Sequence, residues 1–199
     1  MRLYDLEVSG NCHKIRLMLG LLSLDYTLQS LQRDDTTSES FLAINPRGQV
    51  PVLEDAGEIV WDSMAILVYL ARRYGSPQWL PEEPLPLARV MQWLAVSENE
   101  ILYGLARARA VLKMGRPFDL AECQHMGRRA LDILEAHLAD REWLASEGHP
   151  TIADVACYPY VALSPEAGLP LAGYPAVRAW LGRLQALPGY VGMAGIDDY

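Results

Sequence analysis

Apolar residues in the first 75 positions follow two different periods. Arg2–Leu6 and Asp25–Gln32 read as short strands, and between them Cys12 to Leu22 spaces Ile15, Met18, Leu19 and Leu22 three or four residues apart, the mark of an amphipathic helix. Ser38 to Ile44 is a short helix candidate, closed by Asn45-Pro46 and Gly48. Val50–Asp55 and Glu58–Trp61 then read as two short strands flanking Ala56-Gly57, where a tight turn needs residues that tolerate positive φ. Ser63 opens a further helix to about Tyr74, with Ile66, Leu67 and Leu70 on one face. The order β-α-β-α-β-β-α predicts a parallel pair from its strand-helix-strand part and antiparallel edges from its hairpin.

Beyond residue 75 the strand signals stop. Gly75 to Pro81, with Pro84 and Pro86, reads as a linker. Leu87, Met91, Leu94, Glu98, Ile101, Leu105 and Ala108 alternate spacings of four and three, which predicts one long helix whose apolar stripe is broken only by Glu98. Leu120–Leu138, Ile152–Leu163 and Ala176–Leu187 are three further helix candidates, separated by Gly148-His-Pro150 and by the Pro/Gly-rich stretch 164–175. The expected division is an α/β domain over residues 1–77 and an all-helical domain over residues 84–199, with no internal repeat.

Length and charge narrow the function classes. A chain of 199 residues with 51% hydrophobic content can bury a real core, which argues against disorder. Its net charge of −8 is spread over both parts, seven basic against ten acidic residues up to residue 80 and ten against fifteen after it. No basic face is left for nucleic acid or anionic lipid. The start, MRLYDLEVSG, lacks the charged and apolar regions of a signal peptide, and no run of about 18 apolar residues occurs, so a soluble cytoplasmic protein is expected. Cys12, Cys123 and Cys157, an odd number without a C-x-x-C pair, suggest neither a disulfide framework nor a metal site.

Four short segments carry candidate chemistry. Thr151-Ile-Ala-Asp154 has the form of a helix capping box, a structural signal. In Asn45-Pro-Arg-Gly-Gln-Val-Pro51, a proline directly before a strand fits a strand's first residue or a cis bend at Val50-Pro51 that exposes the Val50 backbone. Asp62-Ser63 precedes a helix, so Ser63 is a candidate cap, the helix amides a site for an anion and Asp62 a site for an ammonium; an ordinary cap explains the pair equally. Ser9-Gly-Asn-Cys12 puts two polar side chains and a thiol at a helix end whose dipole stabilises a thiolate.

Together these segments resemble the cytosolic glutathione transferases, in a bacterial, serine-type form. Ser9 six residues before Ile15-Arg16, NPRGQVP at 45–51, the Asp62-Ser63 pair and the capping box at 151–154 occur in that family's order, and residues 174–190 resemble the end of many bacterial members. The resemblance implies a thioredoxin-like N-terminal domain, an all-helical C-terminal domain, a homodimer and glutathione as co-substrate. By position Ser9 falls on the catalytic hydroxyl and Asn11 on an assisting amide. Gln49, Val50 and Pro51 match contacts along the tripeptide backbone, and Asp62 and Ser63 the pair that holds its γ-glutamyl end. Lowering a thiol pKa from about 8.5 by about two units needs about 2.7 kcal/mol, which a hydroxyl donor and a helix N-terminus can share.

The same comparison marks departures. Thr36 and Thr37 stand where plant-like relatives carry basic residues for the glycine carboxylate, which leaves Arg47 or Gln49 as substitutes. Cysteine-type relatives that exchange disulfides carry their nucleophile at the position of Ser9, and Cys12 matches the second cysteine of their motif, readable as a small helix residue or as a reactive thiol. Tyr103, Arg107 and Arg109 interrupt the long helix near its stripe; Tyr103 and Arg107 are the expected electrophile contacts, with solvent or a dimer seam as alternatives for each. Met114 and Trp61 read as packing groups and Glu98-Asn-Glu100 as an exposed face or part of the dimer seam. The expected activity is conjugation of glutathione to a hydrophobic electrophile, a detoxification chemistry. A glutathione-dependent disulfide reductase or peroxidase and a non-catalytic adaptor are the alternatives.

Overall fold

The computed structural model describes all 199 residues. Strand β1 (Arg2–Asp5) pairs in parallel with β2 (Thr27–Ser30) and antiparallel with β3 (Val52–Asp55), which pairs antiparallel with β4 (Glu58–Trp61), giving the order β2-β1-β3-β4. The two inner strands bury Leu3, Val52 and Leu53, whereas all four residues of the edge strand β2 are exposed. The β3–β4 turn places Ala56 and Gly57 at φ of 51° and 86°, the positive values that a two-residue hairpin turn requires. Helices α1 (Gly10–Leu21), a single-turn α2 (Glu39–Leu42) and α3 (Ser63–Arg73) complete this part. A thioredoxin-like N-terminal domain is thereby followed by an entirely helical C-terminal one.

The long helix differs from its expected regularity. It begins as α4 (Pro84–Val96), opens into a π-helical stretch over Ser97–Ala106 and returns to α geometry as α5 (Arg107–Met114). The stripe stays inward through the π-helical stretch, with Leu94, Ile101, Leu105 and Ala108 buried, and fails before it: on α4 the buried face is Val90, Trp93 and Leu94, and Met91 is 51% exposed. Glu98 sits where α1 crosses, with Oε1 3.6 Å from the fully buried Lys14 Nζ. Its expected place on an exposed face is therefore corrected; the lysine that calls it inward lies 84 positions earlier and is invisible to local periodicity. Gly104 allows α6 (Leu120–Leu138) to approach, since a Cβ there would lie 2.4 Å from the Gly127 nitrogen.

Helix α7 (Ile152–Ala162) has every side chain buried. Thr151 and Asp154 form the expected capping box, and Asp154 does more than cap: its Oδ1 accepts from the Leu144 N–H and the Trp180 indole, both at 3.0 Å. The Trp180 bond ties α7 to α8 (Pro175–Gln185). Pro159 inside α7 removes one helix hydrogen bond, tolerated where tertiary packing rather than propensity holds the helix. One apolar core runs through both parts, from Leu3 and Ile15 to Trp93, Tyr158 and Trp180.

α1 is accordingly not a half-exposed amphipathic helix. With the sheet on one side and α7 on the other, it buries His13 and Lys14 beside Ile15, Leu17 and Met18. The chain's last segment closes its remaining side: His13 Nε2 donates to the Val191 carbonyl at 2.8 Å, and the Tyr190 hydroxyl meets that of Tyr158 at 2.7 Å. Burial holds the His13 imidazole down to about 4 from its ordinary 6.5. The folded state keeps this ring neutral while the unfolded chain protonates below about pH 6.5, so stability falls as pH drops from about 6.5 to about 4, by on the order of 3 kcal/mol. Urea unfolding across that window should show the loss, and His13→Gln should flatten it.

Candidate active site

The loop between β1 and α1 is fixed from both sides. Arg16 pairs with Asp5 and its second guanidinium nitrogen donates to the Glu7 carbonyl at 3.1 Å. From the helical domain, Arg109 Nη1 donates to the Val8 carbonyl at 2.8 Å, with its Nε on Glu166 at 2.6 Å. Ser9 follows immediately as the N-cap of α1, accepting from the Cys12 N–H at 3.3 Å. A hydroxyl that accepts still has its own hydrogen to donate, and the helix end beside it is partly positive and suited to an anion. Neighbouring Asn11 presents a buried Oδ1 without a hydrogen-bond partner, the kind of unsatisfied polar atom that folded proteins rarely keep without use.

The segment Asn45–Pro51 is shaped by Asn45, which is buried. Its Nδ2 donates to the Gln49 carbonyl at 2.7 Å and its Oδ1 accepts the Arg47 N–H at 3.1 Å. Gly48 takes φ 60° and packs so closely on the Thr36 carbonyl that a Cβ would lie 3.0 Å from it. The Val50-Pro51 bond is cis, as expected, and the Val50 backbone makes no hydrogen bond within the protein. Its N–H and C=O form an open edge in line with β3.

Asp62 differs from its expected role in one respect. The cap of α3 is the Asp62 side chain, Oδ1 accepting the Met64 N–H at 3.0 Å, and Ser63 is the buried first residue of the helix rather than its cap. Asp62 adopts φ 79°, a conformation that costs a non-glycine residue energy and is concentrated at functional sites. Its other oxygen accepts from Arg47 at 2.9 Å, and that guanidinium lies over the Trp61 ring, 5.9 Å from its centroid. Trp61 is thus a surface platform, 38% exposed, and not the packing group expected.

These segments and the long helix enclose one cleft of about 760 Å³, and Ser9, Asn11, Gln49, Val50, Pro51, Asp62, Ser63, Tyr103 and Arg107 all line it. Met114, expected in the packing, lines it as well. Four further residues line the cleft, of which Arg33 and Tyr160 carried no sequence signal. Arg33 stands beside Thr36 with no carboxylate partner; the two threonine hydroxyls instead bond the Arg33 and Asp34 carbonyls of their own turn. Arg109 is buried rather than solvent- or dimer-facing, held by Glu166. Glu98 reaches the cleft from beside Lys14. Tyr160, on α7, packs closely against Gly10, where a Cβ would sit 2.6 Å from its ring, and burial pushes its phenol up to about 12. Arg109, Glu98 and Tyr160 owe their places to contacts distant in sequence, which local spacing does not reveal.

Comparison with known proteins gives the chain's family. Residues 3–78 match the model of the glutathione S-transferase N-terminal domain and residues 119–183 that of the glutathione S-transferase C-terminal domain. A glutathione S-transferase structure from Pseudomonas fluorescens superposes with a TM-score of 0.89 at 37% identity, covering 97% of this chain and 98% of that one. Glutathione S-transferase 1 of Manduca sexta is 31% identical over 198 residues, covering 96% of this chain and 90% of its own length. The chain belongs to the glutathione S-transferase family. A disulfide-bond oxidoreductase of Escherichia coli is also similar, 30% identical over 196 residues, with 89% of this chain and 87% of its length covered.

Thiol chemistry in this transferase-family chain therefore turns on whether its own cysteines take part. Cys12 is fully buried, burial pushes its thiol up to about 12, and its sulfur accepts from the Leu6 N–H at 3.4 Å. Cys123 and Cys157 are buried too, and burial raises both. A thiol-specific chromogenic reagent at neutral pH should react slowly with all three in the native protein and rapidly with three per chain after denaturation; one fast native thiol would show Cys12 to be accessible.

Proposed function

We propose that this member of the glutathione S-transferase family conjugates the glutathione thiolate to an electrophile in the cleft. What carries the reading is the convergence there of three groups, each suited to one part of the tripeptide: a helix-terminal hydroxyl, an unpaired strand edge and a carboxylate. Ser9, with its free hydrogen and the α1 N-terminus behind it, donates to the sulfur and favours its ionised form. Asn11 assists. The Val50 backbone pairs with the cysteinyl unit as an added strand, with Gln49 and Pro51 flanking it. Asp62 and Ser63 hold the γ-glutamyl ammonium and carboxylate, the ammonium taking over from Arg47 on a carboxylate already in place. Arg33, which lines the cleft and has no acidic partner, is suited to the glycine carboxylate.

The electrophile lies against Tyr103, Arg107 and Met114. Catalysis rests on orientation and charge stabilisation, with no covalent enzyme intermediate. A second reading, glutathione-dependent disulfide reduction, draws on the likeness to the Escherichia coli oxidoreductase; with Cys12 buried it would use two glutathione molecules rather than a protein thiol. An adaptor without catalysis has no need of the strained Asp62 or the open Val50 edge. We place the protein in the cytoplasm as a homodimer whose interface covers Leu85 and Met91, exposed by 62% and 51% on α4, with the two domains divided in residues 78–83. No helix is long and apolar enough to cross a membrane.

Ser9→Ala should raise the pKa of bound glutathione by about one to two units and lower kcat/KM at neutral pH by about 10- to 100-fold, as expected for one hydrogen bond to a charged atom. The thiolate absorbance and the pH-rate profile read both; an unchanged profile moves the role to Asn11. Asp62→Asn keeps an oxygen for the Met64 N–H but removes the charge, so glutathione affinity measured by calorimetry should fall about tenfold while the melting temperature changes little.

A further inference from the structure

Arg107 is the cleft's unusual cation. Its guanidinium carbon lies 3.9 Å from the Tyr103 ring centroid and 4.8 Å from that of Phe118, so one aromatic ring approaches from its own helix and the other from the loop beyond α5. It forms no ion pair and its side chain makes no hydrogen bond within the protein. Every N–H at the edge of the plane is therefore free, while the stacking removes most of the rotamer freedom that a long cationic side chain otherwise loses on binding. Two arginines nearby are arranged differently: Arg47 is on Asp62 and Arg109 on Glu166 and the Val8 carbonyl. A half-buried, pre-oriented guanidinium with open edge donors suits a planar oxyanion in bidentate contact.

We infer that Arg107, held between Tyr103 and Phe118, selects electrophiles bearing a carboxylate, which it receives at the wall of the cleft that it forms with Tyr103. The inference rests on the transferase reading for the identity of the second substrate, but the contact is a binding property and can be measured without turnover. An apolar electrophile alone would leave the guanidinium hydrated and gain nothing from its ordering. A carboxylated one exchanges that hydration for two charge-assisted hydrogen bonds in a site already shaped for them.

The probes are a matched pair, 4-chloro-3,5-dinitrobenzoate and the neutral 4-chloro-3,5-dinitrobenzamide, together with the glutathione conjugate of each. Calorimetry should show the carboxylate conjugate binding at least about tenfold more tightly than the amide conjugate, and Arg107→Gln should bring the two affinities together. Turnover, corrected for the uncatalysed rate of each electrophile, should show the same preference and the same loss. Equal binding of the two conjugates to the wild-type protein overturns the role of Arg107, and so does a preference that survives Arg107→Gln. If the carboxylate conjugate is preferred but neither electrophile is turned over, the Arg107 site stands and the transferase reading fails. If neither conjugate binds, both fail.

Discussion

Complete burial of α7 is the constraint on which the rest of the molecule depends. A helix with no solvent face cannot place a charged group freely, yet Asp154 sits in it because its two oxygens are supplied with four donors: the Thr151 N–H and hydroxyl, the Leu144 N–H and the Trp180 indole. Removing it would strand four buried donors at once. With α7 fixed, α1 has a second wall, and the side chains of His13 and Lys14 find partners inside the protein, on the Val191 carbonyl and on Ser97 and Glu98. The cleft begins where this packing ends, at the top of α1, with Tyr160 pressed on Gly10.

Position at the site is transmitted by charges that are themselves locked. Glu7 and Val8 each give their carbonyl to a guanidinium, one from the N-terminal domain and one from the helical domain, and Ser9 follows them directly. The two domains thus meet at the residue whose hydroxyl caps α1. A shift of the long helix moves Arg109, and through the Val8 carbonyl it moves Ser9; packing between helices and geometry at the hydroxyl are one problem. Lys14 makes the same connection deeper in, donating to Ser97, which donates to the Ala156 carbonyl of α7.

What the sequence made legible follows the range of the interaction behind each feature. The Ala56-Gly57 turn, the Thr151–Asp154 box and the parallel pairing of β1 and β2 depend on residues a few positions apart or on a chain-order rule, and they stand as expected. The nine candidate site residues share a cleft because their segments each sit at the edge of an element that could be read. The π-helical stretch could not be read, since alternating spacings of three and four are those of an ordinary α-helix. For Ser63 the error was local: two adjacent residues can each cap a helix, and the backbone at φ 79° selects Asp62.

Charge is where composition misleads most. A chain of net charge −8 suggests a surface that repels anions, but the cleft gathers Arg33, Arg47, Arg107 and Arg109 against Glu7, Asp62 and Glu98. Averages over a sequence say little about a field that is set within a few ångströms and focused by low-dielectric walls. The four arginines divide by what they already touch. Arg109 is committed to holding the Ser9 loop and Arg47 rests on Asp62, whereas Arg33 and Arg107 keep their donors open on opposite domains. A bound anion competes with an internal partner at the first pair and only with water at the second.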